Sequence, residues 1–339
     1  MVVPYEGRDS GLWGPGHRNL YFEAGALLGE LQGHDRVSFF HVDRGTASGT
    51  WHTQLVDYLN DVGATHVLTH IEGDPGAGDG TWTWDSAWSL MDRFWGGVLL
   101  GTMFDSAFRY TFLKGKFLAR MSPRFLLVDI CMPMDGALVR GVPEVGPVNM
   151  PMSDESMALV EERLSTVEVE HDVSFVGVLY PNRIEMIEAL RAEGFSVVVN
   201  PHRQDEARTR QETMANQPGW LEYMAGLAGS RATINFSESS AGGVQQLKTR
   251  VIEAGLAGTL LLTDDVNLTS RFWTPDVEYG YFSSLGDLPG VAESFLSDGQ
   301  RSERARVAFA HKSRELARTG FWGEIDSVLL RRGLPSVLA

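Results

Sequence analysis

The residues best suited to chemistry lie close together near position 250. Ser239–Gly243 reads SSAGG, and Lys248, Arg250 and Glu253 follow it. Small residues ahead of a helix leave backbone N–H groups open, and a helix start presents a positive dipole end, which suits an anion. Ser237, Ser240, Gly242 and Gly243 are the candidates for such a cradle; the same residues also make a plain turn. Lys248 and Arg250 fall within the helix expected over 244–257, and Arg183 follows the loop after the strand at 173–180. Cations there can neutralise charge building on a departing anion, or they can be solvated helix charges. Glu253 stands among Val251, Ile252, Ala254 and Leu256, a setting that disfavours an exposed, salt-bridged glutamate.

Proton-accepting groups collect at strand ends in the first half. His17 lies in the loop GLWGPGHRN, Asp105 ends GVLLGTMFD, and His70 and Glu72 end THVLTHIE. A base needs only hydrogen-bond reach to the proton it takes. Asp105 fits a helix N-cap equally well, and His17 fits an ordinary loop histidine. Trp13, Trp82, Trp84 and Trp88 surround these loops. Aromatic faces pack on ring systems, but Trp84 and Trp88, four residues apart, also share a helix face turned to the core.

The elements that must position these groups alternate between apolar runs and amphipathic stretches, the pattern of α/β layers around a parallel sheet. Strands are expected at 2–6, 36–43, 65–72, 97–105 and 124–133, with helices at 19–31, 51–62 and 84–94 between them. After a Pro-, Gly- and Met-rich tract at 133–170, a second series begins. Its strands are expected at 173–180, 196–200, 232–237 and 258–265, and its helices at 183–193, 219–229 and 244–257. Gly194 suits the C-cap of the first of these helices, and 294–330 reads as helical. Ligands of open parallel sheets bind outside the carboxyl ends of the strands, so the loops after the strands are where chemistry is expected.

The segment from Tyr223 to Asp265 resembles the C-terminal lobe of the CgeB-like spore-maturation glycosyltransferases, a GT-B group within the group 1 transferases. The likeness rests on Asn235, Phe236 and Ser237, then Gln246, Leu247, Lys248, Arg250, Glu253, Ala254, Ala257 and Gly258, with FVG-x-LYPNR upstream at 175–183. It covers about 173–315, while the first half matches in layout alone. The resemblance implies an α/β protein of two Rossmann-like lobes facing across a cleft with a C-terminal helical tail. The lobes would be an acceptor lobe over 1–170 and a nucleotide-sugar lobe over 171–310, with 311–339 packing back towards the first. It further implies sugar transfer from a nucleotide-diphosphate donor, a UDP-sugar favoured, to a small-molecule acceptor without a metal or other cofactor. Glu253 would then bind the donor's ribose hydroxyls, and Arg183, Lys248 and Arg250 its diphosphate. Asp105 and His17 are the expected bases, with His70 behind them. Gln245 stands where many retaining members carry a second glutamate, so a retaining outcome is not implied.

Composition excludes several other classes. A net charge of −15 argues against nucleic acid, whose phosphates call for basic surface. No run approaches the roughly 18 apolar residues of a membrane span, and the N-terminus lacks the features of a signal peptide. The lone cysteine, Cys131, in FLLVDICMP, reads as a buried structural thiol and fits a reducing cytoplasm. A dehydrogenase would need G-x-G-x-x-G after a strand, which neither GLWGPG nor SSAGG supplies. A metal enzyme would use Asp264 and Asp265 after the last of the expected strands, but no HExxH-like spacing accompanies them. A non-catalytic nucleotide-sugar-binding protein of the same fold, or a nucleotide-dependent enzyme of another class on a Rossmann-like fold, remains as an alternative.

Overall fold

The computed structural model describes residues 1–6, 20–42, 51–71, 84–104, 109–131, 145–201, 219–238, 244–265, 267–284 and 286–339. His17, Asp105, Glu72, Ser240, Gly242, Gly243, Trp13 and Trp82 fall outside them, as does the side chain of Trp84. The chain divides into two compact units. One holds the described residues up to Asp154 together with Arg318–Ala339, and the other holds Glu155–Ala317.

The first unit is built on β1 (Val2–Glu6), β2 (Ser38–Val42), β3 (His66–His70), β4 (Val98–Met103) and β5 (Phe125–Asp129). They form one parallel sheet in the order β2-β1-β3-β4-β5. Every residue of β4 and β5 is buried, as expected of strands covered on both faces. The helices are α1 (Leu20–Gln32), α2 (Trp51–Asp61), α3 (Trp84–Phe94) and α4 (Arg109–Met121). Trp51, Leu55, Leu59, Trp88, Met91 and Trp95 pack with Leu99 and Leu127 into one core. Trp88 is therefore a core residue, and the Lys114 ammonium lies 5.1 Å from its ring centre. Cys131 is buried, and its N–H donates to Oδ1 of Asp129 at 3.0 Å.

Two helices of this region escape the sequence periodicity. One is α4, and the other is α5 (Asp154–Leu164), which falls inside the Pro-, Gly- and Met-rich tract at 133–170. The lead-in to α5 is tied to α1, because Oε2 of buried Glu23 accepts both the N–H and the hydroxyl of Ser153 at 2.9 Å. The unit is completed by the end of the last helix, where the Trp322 indole donates to the Ala24 carbonyl at 2.9 Å.

The second unit contains β6 (His171–Phe175), β7 (Val197–Val199), β8 (Ser230–Asn235), β9 (Leu260–Thr263) and β10 (Gly280–Tyr281), parallel throughout in the order β10-β9-β8-β6-β7. Its helices are α6 (Pro181–Ala192), α7 (Trp220–Ala228), α8 (Thr249–Leu256), α9 (Asp287–Leu296) and α10 (Gly299–Arg331). The core under the sheet gathers Phe175, Ile234, Phe236, Leu260, Leu262, Phe282 and Phe295. Helices α7 and α8 pack together, and so do α6 and α9. That pairing follows from the crossovers: α6 leads from β6 to the outer strand β7, whereas α8 leads the other way, from β8 to β9.

One helix starts later than its sequence pattern suggests. The run 244–257 is helical only from Thr249, because Gln245 pairs with Glu238 as an antiparallel bridge and the Gln246 N–H donates to the Ser237 carbonyl at 3.0 Å. Backbone committed to that pairing is unable to join the helix. Lys248 consequently stands as the extended N-cap of α8 rather than inside it, and SSAGG does not lead directly into a helix. Among the described residues no helix is long and apolar enough to cross a membrane.

Candidate functional site

In the second sheet, β7 lies on one side of β6 and β8 on the other. The direction of winding reverses between β6 and β8, and the crevice at their carboxyl ends is where such sheets take ligands. Two cations reach it from different helices. Arg183, on the first turn of α6, places its guanidinium 5.8 Å from the Phe175 ring centre and 5.3 Å from that of Phe236. Arg250, on the first turn of α8, lies 5.7 Å from the same Phe175 ring.

Phe175 ends β6 and Phe236 follows β8, so both arginines stand over the aromatic floor of the crevice. Burial lowers the Arg183 pKa, and the positive charge of Arg250 lowers it further; Tyr180, Asp264 and Glu238 oppose both. Nε of Arg250 is buried and has no hydrogen-bond partner among the described residues. Two guanidiniums gathered against their own repulsion, one with an idle donor, have the chemistry that an anion with several oxygens would call for.

Around them the backbone is tightly fixed. The Arg183 Nη1 donates to the Val178 carbonyl at 3.1 Å. Helix α6 opens with Pro181 at its first position and has no side-chain cap, which leaves its positive end towards the same crevice. On the other wall, Asp264 accepts the Ser237 N–H at 2.7 Å, and Gln245 Nε2 donates to the Asp264 carbonyl at 3.4 Å. Burial raises the Asp264 pKa, an effect the Ser237 hydrogen bonds oppose. Ser237 itself is fully buried.

The remaining candidates have definite places. The Lys248 ammonium donates to Oε1 of Gln246 at 2.6 Å. Glu253 is 3% exposed, and the Tyr223 hydroxyl of α7 donates to its Oε2 at 2.8 Å. Asp265 is an internal brace: its oxygens accept the N–H groups of Asn267, Leu268 and Thr269 at 2.9 Å and the Thr269 hydroxyl at 3.0 Å. In the first unit, His70 ends β3 with its ring edge-on to Tyr21 at 5.9 Å and near Phe104 at 6.1 Å. The Tyr21 hydroxyl is in turn bonded to Thr102 Oγ1 at 2.8 Å.

Sequence reasoning passed over Phe175, Asn200 and Tyr223. The first two carried usable signals: an aromatic closing a strand before V-G, and an Asn-Pro pair marking a turn after another strand. Tyr223 gave none, since its pairing with Glu253 spans 30 residues.

Comparison with known proteins follows the same lines. Residues 183–320 match the model of a family described as glycosyl transferase-like. No curated protein sequence matches the chain. Among solved structures, HepE of Anabaena in complex with UDP and glucose is 11% identical, with a TM-score of 0.55 over 98% of this chain and 100% of that one. An alpha-glucosyltransferase bound to UDP-glucose and DNA containing an abasic site is 12% identical, with a TM-score of 0.61 over 96% and 98%. Sucrose-phosphate synthase from Thermosynechococcus elongatus is 14% identical, with a TM-score of 0.56 over 98% of each chain. At such identities the likeness is one of fold. The chain has a two-lobed α/β fold of the GT-B kind, with a glycosyl transferase-like region over residues 183–320.

Proposed function

We propose that this protein transfers a sugar from a nucleoside-diphosphate donor to an acceptor hydroxyl, holding the donor's diphosphate at Arg183 and Arg250. The convergence of these two guanidiniums over Phe175 carries the reading. In the transfer, the bond between the anomeric carbon and the diphosphate oxygen breaks and the acceptor oxygen takes its place. The acceptor's proton passes to a base, and negative charge gathers on the departing diphosphate. Two fixed cations stabilise that charge more in the transition state than before it, which is how they would lower the barrier without a metal. UDP is the favoured nucleotide because HepE of Anabaena is described in complex with UDP and with UDP-glucose.

Glu253, whose Oε2 is held by the Tyr223 hydroxyl, takes the role of ribose acceptor, a task that suits a carboxylate facing two adjacent hydroxyls. Lys248 and the stretch Ser237–Gly243 extend the donor site, Asp105 or His17 serves as the base, and the acceptor is a small molecule. Titration calorimetry with UDP, GDP, dTDP and NAD tests the donor reading. Binding of UDP that is lost in Arg250→Ala supports it, whereas binding of NAD alone would sink it. Release of UDP from a UDP-sugar on adding an acceptor then separates transfer from mere binding.

A further inference from the structure

The loop joining β6 to α6 touches both arginines and turns on a permissive residue. Gly177 has φ +140, a conformation open to glycine. A β-carbon there would lie 3.2 Å from Cζ of Phe175 and 3.4 Å from Nη2 of Arg250, so the backbone runs directly beside the guanidinium. One residue later, the Val178 carbonyl accepts from Arg183. A permissive residue at such a place must be held from outside.

The hold comes from Asn200, just beyond the end of the neighbouring strand β7. Its Oδ1 accepts the Gly177 N–H at 2.8 Å, its Nδ2 donates to the Gly177 carbonyl at 3.3 Å, and its own N–H donates to the Phe175 carbonyl at 2.7 Å. The side chain thus satisfies both backbone groups of one glycine, and the residue is 1% exposed. To do so Asn200 adopts φ +48, a left-handed backbone, immediately before Pro201, where extended backbone is preferred. Strain kept at a ligand crevice is a mark of a positioning role.

We infer that Asn200 is the positioning residue of the donor site: by clamping Gly177 it sets the spacing of Arg183 and Arg250 for a diphosphate. The inference rests on the nucleotide-sugar reading above. Both polar groups of the Asn200 side chain are engaged with Gly177, so it acts through the loop.

Two variants separate its side chain from its backbone. Asn200→Gly accepts the left-handed conformation freely and removes only the clamp. Its melting temperature is expected to stay within a few degrees of the parent, its Gly177 amide to exchange faster, and its UDP affinity to fall about ten-fold, the scale of one or two amide hydrogen bonds. Inorganic pyrophosphate, which lacks the nucleoside, is expected to weaken by the same factor. Asn200→Asp keeps the acceptor for the Gly177 N–H but sets a carboxylate beside the anion site. It is expected to bind UDP more weakly still than Asn200→Gly, with a gap that narrows as salt is raised; a purely structural role predicts no such salt dependence. If the parent binds UDP and pyrophosphate and Asn200→Gly binds them equally well, the role of Asn200 is wrong while the site stands. If the parent binds neither, the donor reading itself fails and the inference with it.

Discussion

The Tyr223 hydroxyl donates to Oε2 of Glu253 at 2.8 Å, joining two helices that pack on the same face of the second sheet. A carboxylate only 3% exposed is thereby fixed from the protein side. If it receives the ribose, Glu253→Ala should cost at least ten-fold in UDP affinity, given that a hydrogen bond to a charged group is worth about 1.5–3 kcal/mol. Tyr223→Phe should lower affinity only a few-fold, because the carboxylate stays but loses its fixed orientation. Calorimetric titration of both variants against UDP measures the two effects. Unchanged binding by Glu253→Ala would remove the residue from the donor site.

The mutual repulsion of Arg183 and Arg250 implies a trade between stability and binding. Replacing Arg250 by Ala relieves the like-charge contact, so the ligand-free protein should melt within a few degrees of the parent or above it. The same variant should bind UDP at least ten-fold more weakly. Paired thermal melts with and without UDP read both quantities, and a large drop in the ligand-free melting temperature would contradict the arrangement.

Adjacent aspartates are expected to behave oppositely. Asp265, itself 1% exposed, satisfies four donors, and Asp265→Ala should destabilise by about 3 kcal/mol because those groups lose their acceptor. Asp264→Asn retains an acceptor for the Ser237 N–H and removes a negative charge that opposes the anion site. It should cost less than about 1 kcal/mol and leave UDP affinity equal or higher. Urea unfolding of both variants checks the contrast.

His66 should make the fold sensitive to acid. Its Nε2–H donates to the Pro335 carbonyl at 3.0 Å, and Nδ1 accepts from the Thr65 hydroxyl at 2.9 Å, the tautomer a neutral ring requires. Burial lowers its pKa from 6.5, against the pull of the Pro335 hydrogen bond. Below 6.5 the unfolded chain takes up a proton that the folded chain refuses. The contribution is therefore intact above that pH and declines as pH falls through it, levelling off below the folded-state pKa. Denaturant unfolding between pH 5 and 7.5 should show this slope, and His66→Gln should flatten it.

Gly255 of α8 lies against Ser313 of α10. A β-carbon on Gly255 would fall 2.0 Å from the Ser313 hydroxyl oxygen. Gly255→Ala should cost about 2–3 kcal/mol by overpacking, and Ser313→Gly in the same chain should recover part of it. Chemical denaturation of the two single variants and the double variant yields the coupling.

Strands of the second lobe were legible in sequence because they are short apolar runs bounded by glycine, proline or charge, as at SFVG and LLLTDD. The Glu253 environment was legible too, since apolar neighbours on both sides imply enclosure. The start of α8 was not, because 244–248 has helical composition while the pairing of Gln245 with Glu238 decides its conformation. Helix α4 was hidden by its scattered charges and aromatics, and α5 by the Pro- and Gly-rich tract before it. The two arginines were found by their places after a strand loop and in a helix, and by the family resemblance. That they meet required the strand order, which reverses at β6 and brings residues 67 positions apart over one phenylalanine ring.

The second sheet also ends abruptly at both margins, with three residues in β7 and two in β10. An edge strand exposes unpaired N–H and C=O groups that can template another chain, and a brief edge limits how many such bonds a stranger can form. Both margins of this sheet therefore offer another chain few bonds to form, and lengthening β10 by substitution would widen that offer.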